Sequence, residues 1–230
     1  MLAYVVERDE DYAEIIAHTV ERDGHSVLRA DSMRSALMLA DRRPPELAVI
    51  DMNLPDGSGI DVCKRLRKLD GQLPVILVSS EDRCSDIIAG LDAGGDDYVA
   101  KPFHPGVLLA RLRAVLRRSR GEQVSSHVST RRICSDGLEV DLASQTAFLN
   151  GINLHCTPLE VEILGQLVQF AGQALSHGYL TEQIWGYKNV HDATLLKGHV
   201  SSIRRKIRDA NGDEDVVRTV HGVGYSFTPV

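Results

Sequence analysis

Three polar side chains that could together handle an anion follow three apolar runs of this sequence. Asp51 supplies a carboxylate, Ser79 a hydroxyl group and Lys101 an amine. The runs that precede them are Leu47–Ile50, Val75–Val78 and Tyr98–Ala100. Parallel strands place their carboxyl ends at one edge of a sheet, where open α/β sheets bind ligands. The sequence therefore predicts a small anion-handling site made of Asp51, Ser79 and Lys101.

Strand-like and helix-like segments alternate through residues 1–118. This alternation predicts that the apolar runs are strands of one parallel sheet. The predicted strands are Tyr4–Val6, Val27–Ala30, Leu47–Ile50, Val75–Val78 and Tyr98–Ala100. The amphipathic stretches that alternate with them lie near residues 11–22, 33–42, 58–69, 83–93 and 104–118. This alternation indicates parallel strands joined by right-handed crossovers. We predict an α/β, flavodoxin-like, five-stranded doubly wound domain.

The rest of the chain has a different pattern. Residues 119–132 are polar, without apolar periodicity, and predict a flexible linker. Residues 133–230 combine short alternating strands, three helices and a terminal hairpin marked by glycines. The helices are predicted to begin after the capping residue Thr157, at Thr181 and near residue 192. This order predicts a winged helix-turn-helix domain of the α+β class.

Charge is concentrated in one part of the second domain. The chain has a net charge of −6, which argues against a protein that coats nucleic acid. Residues 133–230 hold seven Lys and Arg against eleven Asp and Glu, yet five of the seven lie between Lys197 and Arg208. No signal peptide, membrane-spanning run or CxxC pair is evident. We therefore expect a cytoplasmic protein with no membrane association.

The motifs of both halves resemble bacterial two-component response regulators of the OmpR/PhoB type. In the first half they are Asp51 with Leu54–Gly57, Ser79, Gly94 with Asp96–Tyr98, and Lys101–Phe103. In the second half they are Trp185–Gly186, His199–Ser201 with Ile203–Ile207, and Thr219–Val220 with Gly222–Tyr225. The resemblance spans nearly the whole chain, and the combination is far more specific than any one motif.

The resemblance implies a receiver domain in which Asp51 is the phosphoacceptor. A sensor histidine kinase would be the partner that donates the phosphoryl group. Lys101 would pair with one phosphoryl oxygen, and the hydroxyl group of Ser79 would bind another. Tyr98 would rotate when Ser79 moves and would carry the change to the last helix of the domain.

The resemblance also implies a Mg2+ site, from which this sequence departs. The ligands would be Glu7, Asp51 and the backbone carbonyl of Asn53, but Arg8 stands where the family carries a second acid. A guanidinium group cannot bind a cation and pairs well with a carboxylate. Two hypotheses follow. Either Arg8 neutralises Asp51 in place of the metal and the receiver works without phosphorylation, or Arg8 faces solvent and Asp9 or water completes a weakened Mg2+ site.

A homodimer is a further implication of the resemblance. The implied face combines acidic and basic residues that would pair across the two-fold axis with an apolar contact in place of a third ion pair. The residues are Asp96, Asp97, Arg111 and Arg118 for the ion pairs, and Ile87 and Val107 for the apolar contact. The alternative is that the charged residues are solvated and that Ile87 and Val107 belong to the core.

The third helix of the second domain has the pattern of a DNA-recognition helix. Projected at about 100° per residue, its apolar residues share one face and its cationic residues lie opposite. The predicted DNA-binding residues are Thr194, Lys197, Ser201, Arg204, Arg205, Arg208 and, in the wing, His221. Such a helix can enter the major groove of double-stranded promoter DNA. Residues 186–191 would face RNA polymerase.

The sequence thus predicts a DNA-binding transcriptional regulator that is not an enzyme. Its receiver would control dimerisation and promoter binding, either through phosphorylation of Asp51 or, as a phosphorylation-independent regulator, through Arg8. Two remote alternatives are a protein-docking adaptor and an aspartyl phosphatase. The phosphatase needs a second acid two residues after the first, and Asn53 occupies that position.

Overall fold

The computed structural model of this chain describes residues 1–80, 84–119, 132–135, 137–185, 192–210 and 214–228. It divides into two compact units, Met1–Leu116 and Arg117–Val230. The interior of the predicted linker, residues 120–131, lies outside the described residues. None of the described helices is both long enough and apolar enough to cross a membrane.

The first unit is the predicted doubly wound domain. Its strands are β1 (Leu2–Val6), β2 (Ser26–Ala30), β3 (Leu47–Asp51), β4 (Asn53–Leu54), β5 (Gly57–Ser58), β6 (Val75–Ser79) and β7 (Asp97–Ala100). Its helices are α1 (Glu10–Arg22), α2 (Met33–Arg42), α3 (Gly59–Leu69), α4 (Cys84–Asp92) and α5 (Pro105–Ser119). Five parallel strands pair in the order β2-β1-β3-β6-β7. The fold class predicted from the alternating pattern is confirmed.

The central strands of this sheet are buried along their whole length. Every residue of β1, β3 and β6 is buried, because helices cover both faces of a doubly wound sheet. One core cluster joins residues of these strands, such as Val5, Val49 and Val78, to Ile16 of α1 and Leu112 of α5. The packing fixes the strand ends, and with them the polar side chains that follow.

The second unit is the predicted winged helix-turn-helix domain. An antiparallel sheet contains β8 (Arg132–Ser135), β9 (Leu138–Asp141), β10 (Thr146–Leu149) and β11 (Ile152–Asn153). The elements that follow are α6 (Pro158–Gln169), β12 (Leu175–Ser176), α7 (His177–Trp185), α8 (Asp192–Asp209), β13 (Val217–Val220) and β14 (Gly224–Phe227). The last sheet has the order β12-β14-β13, and β13 with β14 forms the wing.

Local capping explains where two of these helices begin. Thr157 caps α6 and Glu160 completes the predicted capping box, with Pro158 in the first turn. The second helix was predicted to start at Thr181, but α7 begins four residues earlier, at His177. The Ser176 hydroxyl accepts the Tyr179 amide at 3.1 Å, as a capping serine does. Strands β8 and β12 were not predicted.

Candidate functional site

The strand order of the first unit brings together three of the predicted site residues. Glu7 follows β1, Asp51 ends β3 and Lys101 follows β7. The ammonium group of Lys101, Nζ, lies 2.6 Å from Glu7 Oε2 and 3.0 Å from Asp51 Oδ2. Ser79, at the buried end of β6, accepts the Lys101 amide with its backbone carbonyl at 2.7 Å. We name the group of Glu7, Asp51 and Lys101 the acidic pocket.

Every carboxylate oxygen of the acidic pocket accepts a hydrogen bond. Glu7 Oε1 accepts the Asp9 amide at 3.0 Å, and Asp51 Oδ1 accepts the Asn53 amide at 3.0 Å. The other oxygen of each carboxylate accepts Lys101 Nζ. The side chains of Glu7, Asp51 and Lys101 are only 0%, 4% and 5% exposed. Charges this deeply buried are tolerated when they are paired and hydrogen-bonded, as they are here.

Two aromatic rings complete the surroundings of Lys101. Its Nζ lies 4.6 Å from the ring centroid of Tyr12, in the first turn of α1, which is a cation–π geometry. The Tyr12 ring packs in turn against Phe103, with their centroids 5.6 Å apart. Sequence reasoning missed Tyr12, although an aromatic residue so close to the acidic end of β1 was a usable signal. Lys101 is thus held on several sides.

Burial governs the ionisation of Glu7. Desolvation raises the pKa of this carboxyl above its ordinary value, and the nearby Asp51 carboxylate adds to that rise. The bonds from Lys101 and from the Asp9 amide oppose it. The two carboxylates therefore depend on Lys101 for a charge that makes their proximity tolerable.

Arg8 plays no part in this network. Its side chain is exposed, and it forms no ion pair with any residue that the structure describes. The first hypothesis about Arg8 is corrected accordingly, because the cation bonded to Asp51 is Lys101. Asp9, the substitute ligand of the second hypothesis, caps α1 instead, and its Oδ1 accepts the amides of Asp11 and Tyr12, each at 3.1 Å.

The residues present do not fit the predicted Mg2+ site. Mg2+ prefers an octahedral set of oxygen ligands. The predicted ligands are the Asn53 carbonyl and two carboxylates whose oxygens each already accept a hydrogen bond, and an arginine side chain at position 8 has no oxygen to add. Across the described ranges, no group of three or more His, Cys, Asp and Glu side chains could hold a metal ion.

The backbone around Asp51 is tightly packed against the start of α3. A Cβ atom at Gly59 would lie 2.0 Å from the Asp51 carbonyl oxygen, so only glycine fits there. The Gly59 amide donates to the Met52 carbonyl at 2.9 Å. Tyr98, the predicted switch residue in β7, is buried, with 4% of its surface exposed.

Several residues of the predicted dimer face are instead engaged within the chain. Asp97 pairs with Arg111 at 2.6 Å, both side chains being almost fully buried. Asp96 pairs with Arg67 of α3 at 2.7 Å. Ile87 is 2% exposed, which agrees with the alternative prediction that it belongs to the core. These four predicted face residues are corrected, because buried and internally paired side chains present no surface to a partner.

Two other residues of that face remain to be placed. Val107 is 40% exposed, as an interface residue would be. The Arg118 side chain lies outside the described residues, although α5 runs past it to Ser119. Val107 is therefore the one predicted face residue with a described, exposed side chain.

In the second unit, α8 separates its apolar and polar residues as predicted. Leu196, Val200, Ile203 and Ile207 are each at most 1% exposed. The opposite side, which we name the basic face, consists of the exposed Lys197, Ser201 and Arg208 with the partly exposed Thr194 and Arg205. His221, also predicted, is exposed in the turn between β13 and β14.

Arg204 has a different position from the one predicted. Its Nε donates to the Val217 carbonyl at 2.8 Å, and one terminal nitrogen donates to Thr219 Oγ1 at 2.9 Å. Its guanidinium carbon lies 5.9 Å from the Tyr225 ring centroid. Arg204 therefore ties α8 to both strands of the wing, and only part of it remains exposed.

A buried ion pair that the sequence did not predict anchors α8 to α6. Lys206 Nζ bonds Glu160 Oε2, and it donates to the His155 carbonyl at 2.9 Å. Although burial opposes ionisation of Glu160, the charge and hydrogen bond of Lys206 outweigh it, and the pKa of Glu160 is lowered. Residues 186–191, predicted to face RNA polymerase, lie outside the described residues.

Comparisons with known proteins agree with both units. Residues 3–113 match the family described as "Response regulator receiver domain". Residues 151–227 match the family described as "Transcriptional regulatory protein, C terminal". Together these two matches cover most of the chain.

Individual relatives extend over nearly the whole length. The "Transcriptional regulatory protein AfsQ1" of Streptomyces coelicolor is 36% identical over 98% of this chain and 97% of its own. The "DNA-binding response regulator MtrA" of Mycobacterium tuberculosis is 33% identical over 98% of this chain and 96% of its own. A solved structure of a RitR mutant matches with a TM-score of 0.72 at 19% identity, covering 100% of this chain and 99% of that one, and shows the likeness of fold alone.

Proposed function

The chain belongs to the response regulators of the OmpR/PhoB type, and on that basis we propose that it regulates transcription by binding double-stranded promoter DNA through α8 and the wing. The family consists of DNA-binding transcription regulators and not of enzymes. Two relatives of the chain, AfsQ1 and MtrA, are described as a transcriptional regulatory protein and a DNA-binding response regulator. The proposed place of action is the cytoplasm, with RNA polymerase as the machinery that the regulator influences.

The basic face of α8 is the observation that carries this proposal. Lys197, Ser201 and Arg208 are exposed on one side of a helix whose opposite side is fully buried. Positive and hydrogen-bonding groups along one helix face suit the phosphates and base edges of a major groove. His221 projects from the wing turn, where an adjacent minor groove would pass. Arg204, held by β13, sets the position of the wing relative to α8.

The receiver supplies the regulatory half of the proposal. Asp51 is the proposed phosphoacceptor, and a sensor histidine kinase is the proposed donor. Ser79, Tyr98 and Lys101 are the proposed switch residues, because Ser79 is buried at the end of β6 and Tyr98 is buried in β7, the strand that Lys101 follows. Dimerisation of the receiver is also proposed, with Val107 in the contact and without the four buried residues.

Selection of bound duplexes from a random DNA library tests the proposed function. We expect the full-length protein to enrich one sequence and to bind it at least about 1,000-fold more tightly than a scrambled duplex, as specific regulators do. A dimer would enrich two half-sites about one helical turn apart. Fluorescence anisotropy gives both affinities. Equal binding of the enriched and scrambled duplexes would count against sequence-specific regulation.

A further inference from the structure

We propose that the ammonium group of Lys101, and not a divalent cation, is the charge that neutralises Asp51, so that the resting receiver takes up no Mg2+. This deepens the regulatory half of the proposed function, since it concerns the same acidic pocket. It does not depend on DNA binding, and its test uses no DNA. The acidic pocket would then be complete without any ion from solution.

Each oxygen atom of the acidic pocket already accepts one hydrogen bond, which leaves a metal only the second lone pair of each oxygen. Both oxygens of Glu7 and both oxygens of Asp51 accept hydrogen bonds, two from backbone amides and two from Lys101. A cation that bound Asp51 directly would have to share an oxygen atom with Lys101 or with the Asn53 amide, beside the positive ammonium group. Mg2+ also gives up its own water reluctantly, so such an exchange gains little.

Lys101 is not free to swing aside and admit an ion. Its side chain is 5% exposed and its Nζ lies 4.6 Å from the Tyr12 ring centroid. Tyr12 is braced by Phe103, two residues beyond Lys101 in the chain. Moving the ammonium group aside would break both of its ion pairs and its contact with the Tyr12 ring, and an incoming cation would have to offset those losses.

The residues next to the acidic pocket also disfavour a divalent cation. Arg8 immediately follows Glu7, is exposed and has no ion-pair partner among the described residues, so no carboxylate group holds it close. Asp9, the next acid, caps α1, because its Oδ1 accepts hydrogen bonds from the Asp11 and Tyr12 amides. Position 8 therefore carries a positive charge and offers no oxygen ligand where the predicted metal site needs a further acid.

Thermal unfolding of the full chain, with 10 mM MgCl2 against NaCl of equal ionic strength, tests this inference. We expect the Tm of the wild-type receiver transition to rise by less than about 1 °C. In Lys101→Met, where two carboxylates lack their counter-charge, Mg2+ should raise the Tm by about 5 °C, which corresponds to a Kd near 1 mM. Isothermal titration with MgCl2 should give heat for the variant alone.

Two further variants examine the part played by Arg8. Because Lys101 stays in the acidic pocket of Arg8→Asp, Mg2+ should raise the Tm of this variant by less than about 1 °C, and the same holds for Lys64→Glu, an equal change of charge at an exposed position of α3. A rise in Arg8→Asp as large as that of Lys101→Met would overturn the inference, because it would show that Lys101 does not exclude the ion. A wild-type rise as large as that of Lys101→Met, or measurable wild-type heat, would overturn it, with the DNA-binding proposal unaffected.

Discussion

Replacing Lys101 with methionine is expected to lower the free energy of unfolding of the receiver by about 3–5 kcal/mol. Methionine keeps much of the apolar stem of the lysine but removes the ammonium group that lies 2.6 Å from Glu7 and 3.0 Å from Asp51. Two buried carboxylates would then face each other without a counter-charge. The loss is large because neither carboxylate can reach bulk water to recover its hydration.

Urea denaturation followed by far-UV circular dichroism measures this loss. Trp185, the single tryptophan of the chain, lies in the second unit, so its fluorescence follows the unfolding of that unit. A transition that circular dichroism shows and Trp185 fluorescence does not show belongs to the receiver. Lys64→Met, at an exposed lysine of α3, is the matched control and should change stability by less than about 0.5 kcal/mol. Adding Glu7→Gln and Asp51→Asn to Lys101→Met should restore much of the loss. A Lys101→Met loss below about 1 kcal/mol would contradict the described network.

The second large effect is expected in the winged domain, where Lys206→Met should lower the free energy of unfolding by about 3 kcal/mol. The Lys206 side chain is 20% exposed and Glu160 is 1% exposed, so breaking the pair leaves a buried carboxylate without its cation. The partial exposure of Lys206 places the effect toward the low end of the range for buried pairs. Trp185 fluorescence during urea denaturation measures the change, and Lys197→Met, on the exposed side of the same helix, is the control.

The same pair predicts a dependence on pH. Because the pKa of Glu160 in the folded chain lies below its ordinary value of 4.5, the stabilisation is fully present above pH 4.5 and is lost as pH falls through the folded pKa. The stability difference between wild type and Lys206→Met should therefore be constant near neutral pH and shrink in acid. A difference that grows as the pH falls below 4.5 would show that the carboxylate is not the partner of Lys206.

Residue order was enough to predict the main features of the fold and the centre of the site. Apolar runs that end in Asp51, Ser79 and Lys101 had to be neighbouring parallel strands once helices separated them, and parallel strands align their ends. The two faces of α8 followed from helical periodicity in the same way. These inferences depend only on the order and spacing of residues that are near one another in the chain, and a single sequence contains that information.

Contacts between distant residues could not be predicted in this way. Lys101 is 94 residues from Glu7 along the chain, and Lys206 is 46 residues from Glu160. Whether Arg8 or Lys101 would reach Asp51 depended on side-chain directions that local pattern does not fix. The same is true of Asp97, which was expected to pair across a dimer and pairs with Arg111 of its own chain instead.

The salt dependence of affinity for duplex DNA tests the claim that the basic face of α8 binds DNA. The slope of log Kd against log[KCl] should be steep for the wild type. Arg208→Ala should reduce this slope by about one, because DNA binding releases fewer counterions when one phosphate contact is lost. Arg65→Ala, which removes an exposed arginine from the receiver, should leave the slope unchanged. A wild-type slope near zero, or one that Arg208→Ala and Lys197→Ala both leave intact, would contradict the claim.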